Sequence, residues 1–222
     1  MSEKLRILVT GFGPFPGAPF NPTQQLVKRL TQLRRPAFAD VELTGHIFHV
    51  TYATVDRELP ELIARHRPQA LLCFGLAGRI AYVRIETRAR NAVTTSFPDA
   101  DRRRARKGSI AGSADALPFG PHTANLLHAA CATGIDARLS RDAGAYLCNY
   151  LSWRAIEATQ QPAGPALASF IHVPLIARDG SAREEASDIT LEQLVDAGEA
   201  MLLELVKLTR RAIMQGALPE RR

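Results

Sequence analysis

The sequence predicts an α/β fold, with a mixed, mostly parallel central sheet flanked by helices in three layers. Three observations predict it. Short β-rich apolar runs alternate with stretches of helical period, and residues 70–74 (ALLCF) are apolar throughout, as in a strand buried on both faces. No shift in composition divides the 222 residues into two cores, so residues 1–222 read as one domain.

Residues 6–10 (RILVT) form the first strand, which runs into the glycine- and proline-rich segment GFGPFPGAPF. A helix follows: Asn21 is a natural N-cap, Pro22 suits the first helical position, and Leu26, Val27, Leu30 and Leu33 recur at helical spacing. Residues 41–50 read as a strand. Residues 55–66 read as a helix with Val55, Leu59, Leu62 and Ile63 on one face. Pro68 then punctuates the chain before the strand at 70–74. A strand or two fall within 82–93, and residues 94–120, rich in Gly, Pro, Asp and Arg, read as a long loop of the functional or mobile kind. Helical spacing returns at 123–131, then a strand at 137–140, a helix over about 145–158 and a strand at 168–173. The clearest amphipathic helix covers 191–213, with Leu194, Val195, Gly198, Met201, Leu202, Leu205, Leu208, Ala212 and Ile213 on one face.

The 28 Lys and Arg against 22 Asp and Glu give a net charge of +6. Much of the excess lies in one run, residues 102–107 (RRRARK), and in Arg221 and Arg222. That run has no interleaved aromatics and fits no DNA-binding motif, so it reads as a solvated loop and no nucleic-acid partner is expected. No stretch approaches the roughly 20 apolar residues that span a bilayer, and the N-terminus lacks a secretory apolar core, so no membrane partner is expected. Cys73, Cys131 and Cys148 are odd in number and widely spaced, which suits reduced thiols and a cytoplasmic protein. His46 and His49 point to opposite faces of their strand, which argues against a shared metal, and no HExxH, CxxC or P-loop occurs.

Three residues could carry chemistry. Cys148 lies where a strand gives way to a helix, after the glycine-containing turn Asp142-Ala-Gly-Ala-Tyr-Leu, and a helix N-terminus favours thiolate and offers N–H groups to an oxyanion. Cys73 and Cys131 read instead as small buried hydrophobes. His172 ends the buried-looking strand Ser169-Phe-Ile-His172, at the carboxyl end where α/β sheets place catalytic groups; packing explains a lone histidine equally well. Glu86, in Arg84-Ile-Glu86-Thr-Arg-Ala-Arg, could orient a histidine or simply form a surface ion pair.

Together these segments resemble the pyroglutamyl-peptidase I family (peptidase family C15). The resemblance rests on four separated places: Thr10-Gly-Phe-Gly-Pro-Phe15 with Asn21-Pro22; Gly75-Leu-Ala-Gly78 leading to Glu86; Ala143-Gly-Ala-Tyr-Leu-Cys148-Asn149; and Phe170-Ile-His172-Val-Pro174. It implies a cysteine peptidase that removes an N-terminal pyroglutamyl group from a small peptide, using Cys148 as nucleophile, His172 as base and Glu86 to orient it. It also implies no cofactor, no metal, and a homodimer or homotetramer. Carried over, it assigns Phe12, Phe15, Tyr146 and Leu147 to the pocket for the lactam ring. Leu76 stands where many relatives carry a glutamine that contacts the lactam, and Ser96 where they commonly carry arginine. Two alternatives stay open: an idle or altered homologue with a different N-terminal preference, and a nucleoside phosphorylase-like enzyme.

Overall fold

The computed structural model describes residues 4–15, 17–176 and 188–216, so Arg221 and Arg222 of the basic excess lie outside the described residues. In chain order the elements are β1 (Leu5–Phe12), α1 (Pro22–Thr31), β2 (Val41–Phe48), α2 (Tyr52–His66), β3 (Ala70–Leu76), β4 (Val83–Glu86), β5 (Arg88–Arg90), β6 (Ala116–Pro118), α3 (His122–Cys131), β7 (Ala137–Ser140), α4 (Leu147–Thr159), β8 (Leu167–Val173) and α5 (Leu191–Met214). Six strands form one sheet in the order β2-β1-β3-β8-β4-β7, and β5 and β6 form a small second one. All pairs in the large sheet are parallel except β4 with β8. The fold is the mixed, mostly parallel α/β arrangement that the alternation of periods implied.

Strand alternation sorts the core into two sides. Ile7, Val9, Leu72, Phe74, Ile85, Ile171 and Val173 pack with α1, α3 and α5, whereas Leu8, Leu71, Cys73, Ala168 and Phe170 pack with α2 and α4. Gly75 continues the series Leu71, Cys73, and His172 continues Ala168, Phe170. Both therefore face the α2/α4 side, and they are register partners across β3 and β8.

Local chemistry explains the boundaries. Asn21 caps α1 by accepting from the Thr23 N–H at 3.2 Å, with Pro22 in the first turn. The α2 helix begins at Tyr52, before the apolar period starts, because the Thr51 hydroxyl accepts from the Thr54 N–H at 3.1 Å. A capping box closes the start of α5: the Gln193 N–H donates to Thr190 Oγ1 at 3.2 Å and the Thr190 N–H to Gln193 Oε1 at 2.9 Å.

Three expectations need correction. The α5 face drifts from the spacing read in the sequence: Val206 and Thr209 are buried, Ile213 is exposed, and Thr209 satisfies its hydroxyl on the Leu205 carbonyl at 2.7 Å. Residues 94–120 are not irregular throughout, because β6 pairs with β5 and the Asn91 side chain fastens the intervening loop. Its Oδ1 accepts from the Ile110 N–H at 2.6 Å, and its amide donates to the Ala111 carbonyl at 2.8 Å. Cys131, expected to be buried, is exposed, since the buried stripe of α3 follows His122, Leu126 and Ala130 and the helix ends one residue past it.

Candidate active site

The glycine-rich loop after β1 is latched by Thr23. The Thr23 hydroxyl donates to the Phe12 carbonyl at 2.9 Å and accepts the Phe12 N–H at 3.0 Å, while the Asn21 amide donates to the Gly13 carbonyl at 3.1 Å. Gly11 has to be glycine for that latch to close, because a Cβ there would lie 2.9 Å from Thr23 Oγ1. Sequence reasoning passed over Thr23; its signal was a hydroxyl two residues after an N-cap.

The three candidate residues come from three elements. His172 is the next-to-last residue of β8, Glu86 ends β4, and Cys148 is the second residue of α4. The antiparallel pairing of β4 with β8 puts Arg84 opposite His172 and carries Glu86 to the same side of the sheet. His172 Nδ1 and Glu86 Oε1 are 2.7 Å apart, with both residues buried. Cys148 is located by Gly75: a Cβ on Gly75 would fall 2.7 Å from Cys148 Sγ and 2.7 Å from the Phe170 ring. The thiol therefore rests on the bare backbone of β3, beside the strand position paired with His172. Phe170 supports the imidazole from behind with an edge contact, ring centroids 5.0 Å apart.

Charge states follow from the surroundings. Burial alone would raise the Glu86 carboxyl, but the hydrogen bond and charge of His172, then Ser140 and Arg84, hold it below its usual range. Burial pushes His172 below its ordinary 6.5, against the upward pull of Glu86 and with help from Arg84. An ionised Glu86 accepts the proton of Nδ1, so the neutral imidazole carries its hydrogen there and leaves Nε2 as a base. Burial and the Glu86 charge push the Cys148 thiol up to about 12 although part of the residue is accessible, because the sulfur is packed against protein on the sheet side. The helix N-terminus does not make a resting thiolate here, as the sequence suggested it would. These surroundings favour the thiol over the thiolate and the neutral imidazole over the imidazolium.

Of the other candidates, Phe12 and Leu147 are 2% and 1% exposed and pack in the core beside Phe48, Leu151 and Phe170. Phe15, Tyr146 and Leu76 are partly exposed, and the Phe15 and Tyr146 rings lie 6.4 Å apart. Tyr146 donates to the Pro98 carbonyl at 2.9 Å, tying the residue before α4 to the long loop that also holds Ser96. His46 and His49 meet separate acids, Glu58 and Asp101, each at 2.8 Å. A groove of about 890 Å³ lies between α2 and the far end of α4 among Val55, Leu59, Ile63 and Ala158, and no member of the cluster lines it.

Asn149, named in the sequence only as part of the stretch around Cys148, has a structural role that the sequence did not assign. Its Oδ1 accepts the Arg90 N–H at 2.8 Å and its amide donates to the Arg90 and Ala92 carbonyls at 2.8 and 2.9 Å, which fixes the first turn of α4 to β5. The available signal was an asparagine next to the cysteine at the start of a helix.

Residues 5–205 match the family model described as pyroglutamyl peptidase. The pyrrolidone-carboxylate peptidase of Gloeobacter violaceus is 33% identical over 178 residues, covering 78% of this chain and 82% of that protein. The pyrrolidone-carboxylate peptidase of Pyrococcus furiosus is 28% identical over 173 residues, covering 78% and 82%. The crystal structure of pyrrolidone carboxyl peptidase from Fervidobacterium islandicum superposes with a TM-score of 0.82 at 28% identity, covering 92% of this chain and 99% of that one.

Proposed function

The chain belongs to the pyroglutamyl peptidase family, cysteine omega-peptidases that remove an N-terminal pyroglutamyl group, and we propose that Cys148, His172 and Glu86 carry out that cleavage here. The observation that carries the assignment is the buried 2.7 Å contact of His172 with Glu86, together with the Cys148 sulfur resting on Gly75 beside it.

In this reading His172 Nε2 takes the proton of the Cys148 thiol as the sulfur attacks the pyroglutamyl carbonyl carbon. Glu86 holds the ring in the productive tautomer and stabilises the imidazolium. The first intrahelical bond of α4 runs from the Tyr150 N–H to the Tyr146 carbonyl at 3.0 Å, so the N–H groups of Leu147, Cys148 and Asn149 precede it and are available to the developing oxyanion. Collapse of the tetrahedral adduct breaks the C–N bond, and the imidazolium gives its proton to the departing amine. Water, deprotonated by the same imidazole, then hydrolyses the thioester to free pyroglutamate and regenerates the thiol. Phe15, Tyr146 and Leu76 offer accessible surface to the lactam, with Phe12 and Leu147 backing them from the core. Three free cysteines agree with a reducing compartment such as the cytoplasm.

The test is release of a chromophore from a pyroglutamyl amide against the matched alanyl and prolyl amides. Wild-type enzyme is expected to cleave the first selectively, and Cys148→Ser to lose turnover with an unchanged melting temperature. Alkylation of the exposed Cys131 is expected to leave activity intact. An active Cys148→Ser enzyme would rule out the nucleophile.

A further inference from the structure

We propose that Arg84 is a positioning residue of the triad, one guanidinium nitrogen tying the acid–base pair to the backbone of the loop that leads into Cys148. The proposal rests on the triad reading and adds to it a residue outside the three. Arg84 Nη2 lies 3.1 Å from Glu86 Oε1, 3.3 Å from His172 Nδ1 and 3.1 Å from the Asp142 carbonyl oxygen, to which it donates. The side chain is only 19% exposed, and its Nε is buried with no hydrogen-bond partner among the described residues. A guanidinium held so far from water, at the cost of an unsatisfied donor, needs its charge and the reach of its Nη2 at that place.

Two further arginines grip the same loop. Arg88 Nε donates to the Arg141 carbonyl at 2.9 Å, and Arg90 Nη2 donates to the Gly144 carbonyl at 3.1 Å and meets Asp142 Oδ1 at 2.8 Å. The loop needs holding, since Gly144 turns through φ +82° and offers no side chain for packing. Arg84 differs from the other two in also touching the pair that must accept the thiol proton. It fixes the distance between nucleophile loop and base, and it places a permanent positive charge beside the imidazole. The charged groups that act on His172 are Glu86 and Arg84 from β4 and Asp142 from the loop before α4, and Glu86 and Arg84 act on Cys148 as well. Of these, Arg84 opposes protonation of His172, adding to the larger effect of burial against the pull of Glu86 and Asp142.

The experiment compares wild type, Arg84→Met and Arg84→Lys by NMR titration of labelled histidine and by the pH dependence of kcat and KM. Arg84→Met is expected to move the titration of His172, and the acid limb of kcat/KM with it, upward by about 1 pH unit. It is also expected to lower kcat by roughly 10- to 100-fold with little change in KM. Arg84→Lys keeps the charge and is expected to hold the titration near wild type, while its shorter side chain leaves the ammonium short of the position of Arg84 Nη2 and kcat still falls. If Arg84→Met does not fold, Arg84→Gln serves, retaining a donor for the Asp142 carbonyl without the charge. A folded uncharged variant whose His172 titrates as in wild type, or whose kcat is unchanged, would overturn the proposal. The NMR titration needs no substrate, so its failure counts against Arg84 alone, whereas failure of the triad reading is seen in Cys148→Ser.

Discussion

At the scale of the residue, the decisive pair is Glu86 and His172. Glu86 pulls the His172 pKa up through a hydrogen bond and its charge, so Glu86→Gln is expected to lower that pKa further and move the acid limb of kcat/KM to lower pH. The variant also loses the partner that stabilises the imidazolium, and kcat is expected to fall by on the order of 10⁴ with KM little changed. A near-normal kcat would return Glu86 to the rank of an ordinary buried ion-pair residue. In the wild type, the low His172 pKa puts the acid limb below 6.5, and a thiol pushed up to about 12 leaves activity flat through neutral and mildly alkaline pH. A pH–rate profile that falls already between 7 and 8 would contradict this order of protonation states.

At the scale of the element, the site is a meeting of strand ends with a helix start, and Gly75 is the contact that permits it. In Gly75→Ala the new methyl would sit 2.7 Å from both the sulfur and the Phe170 ring, and Phe170 is fully buried with no space to turn into. Overpacking of this kind costs about 1–3 kcal/mol and displaces the Cys148 sulfur, so both kcat/KM and the melting temperature are expected to drop. Gly78→Ala is the control: its nearest neighbour would be a Leu175 methyl at 3.4 Å, an ordinary contact, and both quantities are expected to stay near wild type. Equal effects from the two substitutions would mean that loss of glycine flexibility, and not the closeness of Cys148, is what matters.

At the scale of the whole molecule, two buried histidines link stability to pH. His122 starts α3 and makes a 2.9 Å hydrogen bond to the Ala168 carbonyl, joining that helix to β8, and burial lowers its pKa. His172 is lowered as well. For each, the unfolded chain takes up a proton near 6.5 while the folded protein does not. The stability they contribute is thus complete above 6.5 and is lost as pH falls through the lower folded values. Glu86, held below 4.5, adds a second loss in more acidic solution. Melting temperature is expected to be level from pH 8 to 7, to decline below 6.5 and to steepen below 4.5. Replacing His122 with glutamine, which can still donate to Ala168, is expected to flatten the first decline; an unchanged slope would exclude His122 from it.

The sequence by itself determined the alternation of strands and helices, the Asn21 cap with Pro22 after it and the all-apolar β3, because period and capping chemistry are local properties, whereas the grouping of Glu86, Cys148 and His172 came from the family resemblance. Only the tertiary structure decided that Glu86 and His172 touch, since that depends on β4 running antiparallel to β8, a pairing between residues 86 positions apart. The protonation of Cys148 was likewise beyond local reading: the helix N-terminus argued for thiolate, whereas burial and a carboxylate from a distant strand argue for thiol and prevail. Arg84 illustrates the same limit. Its place two residues before Glu86 was visible as shared strand parity, but its bond to the Asp142 carbonyl exists only because β4 and the loop before α4 are folded against each other. Charges and desolvation act through space, and a sequence records neighbours along the chain only.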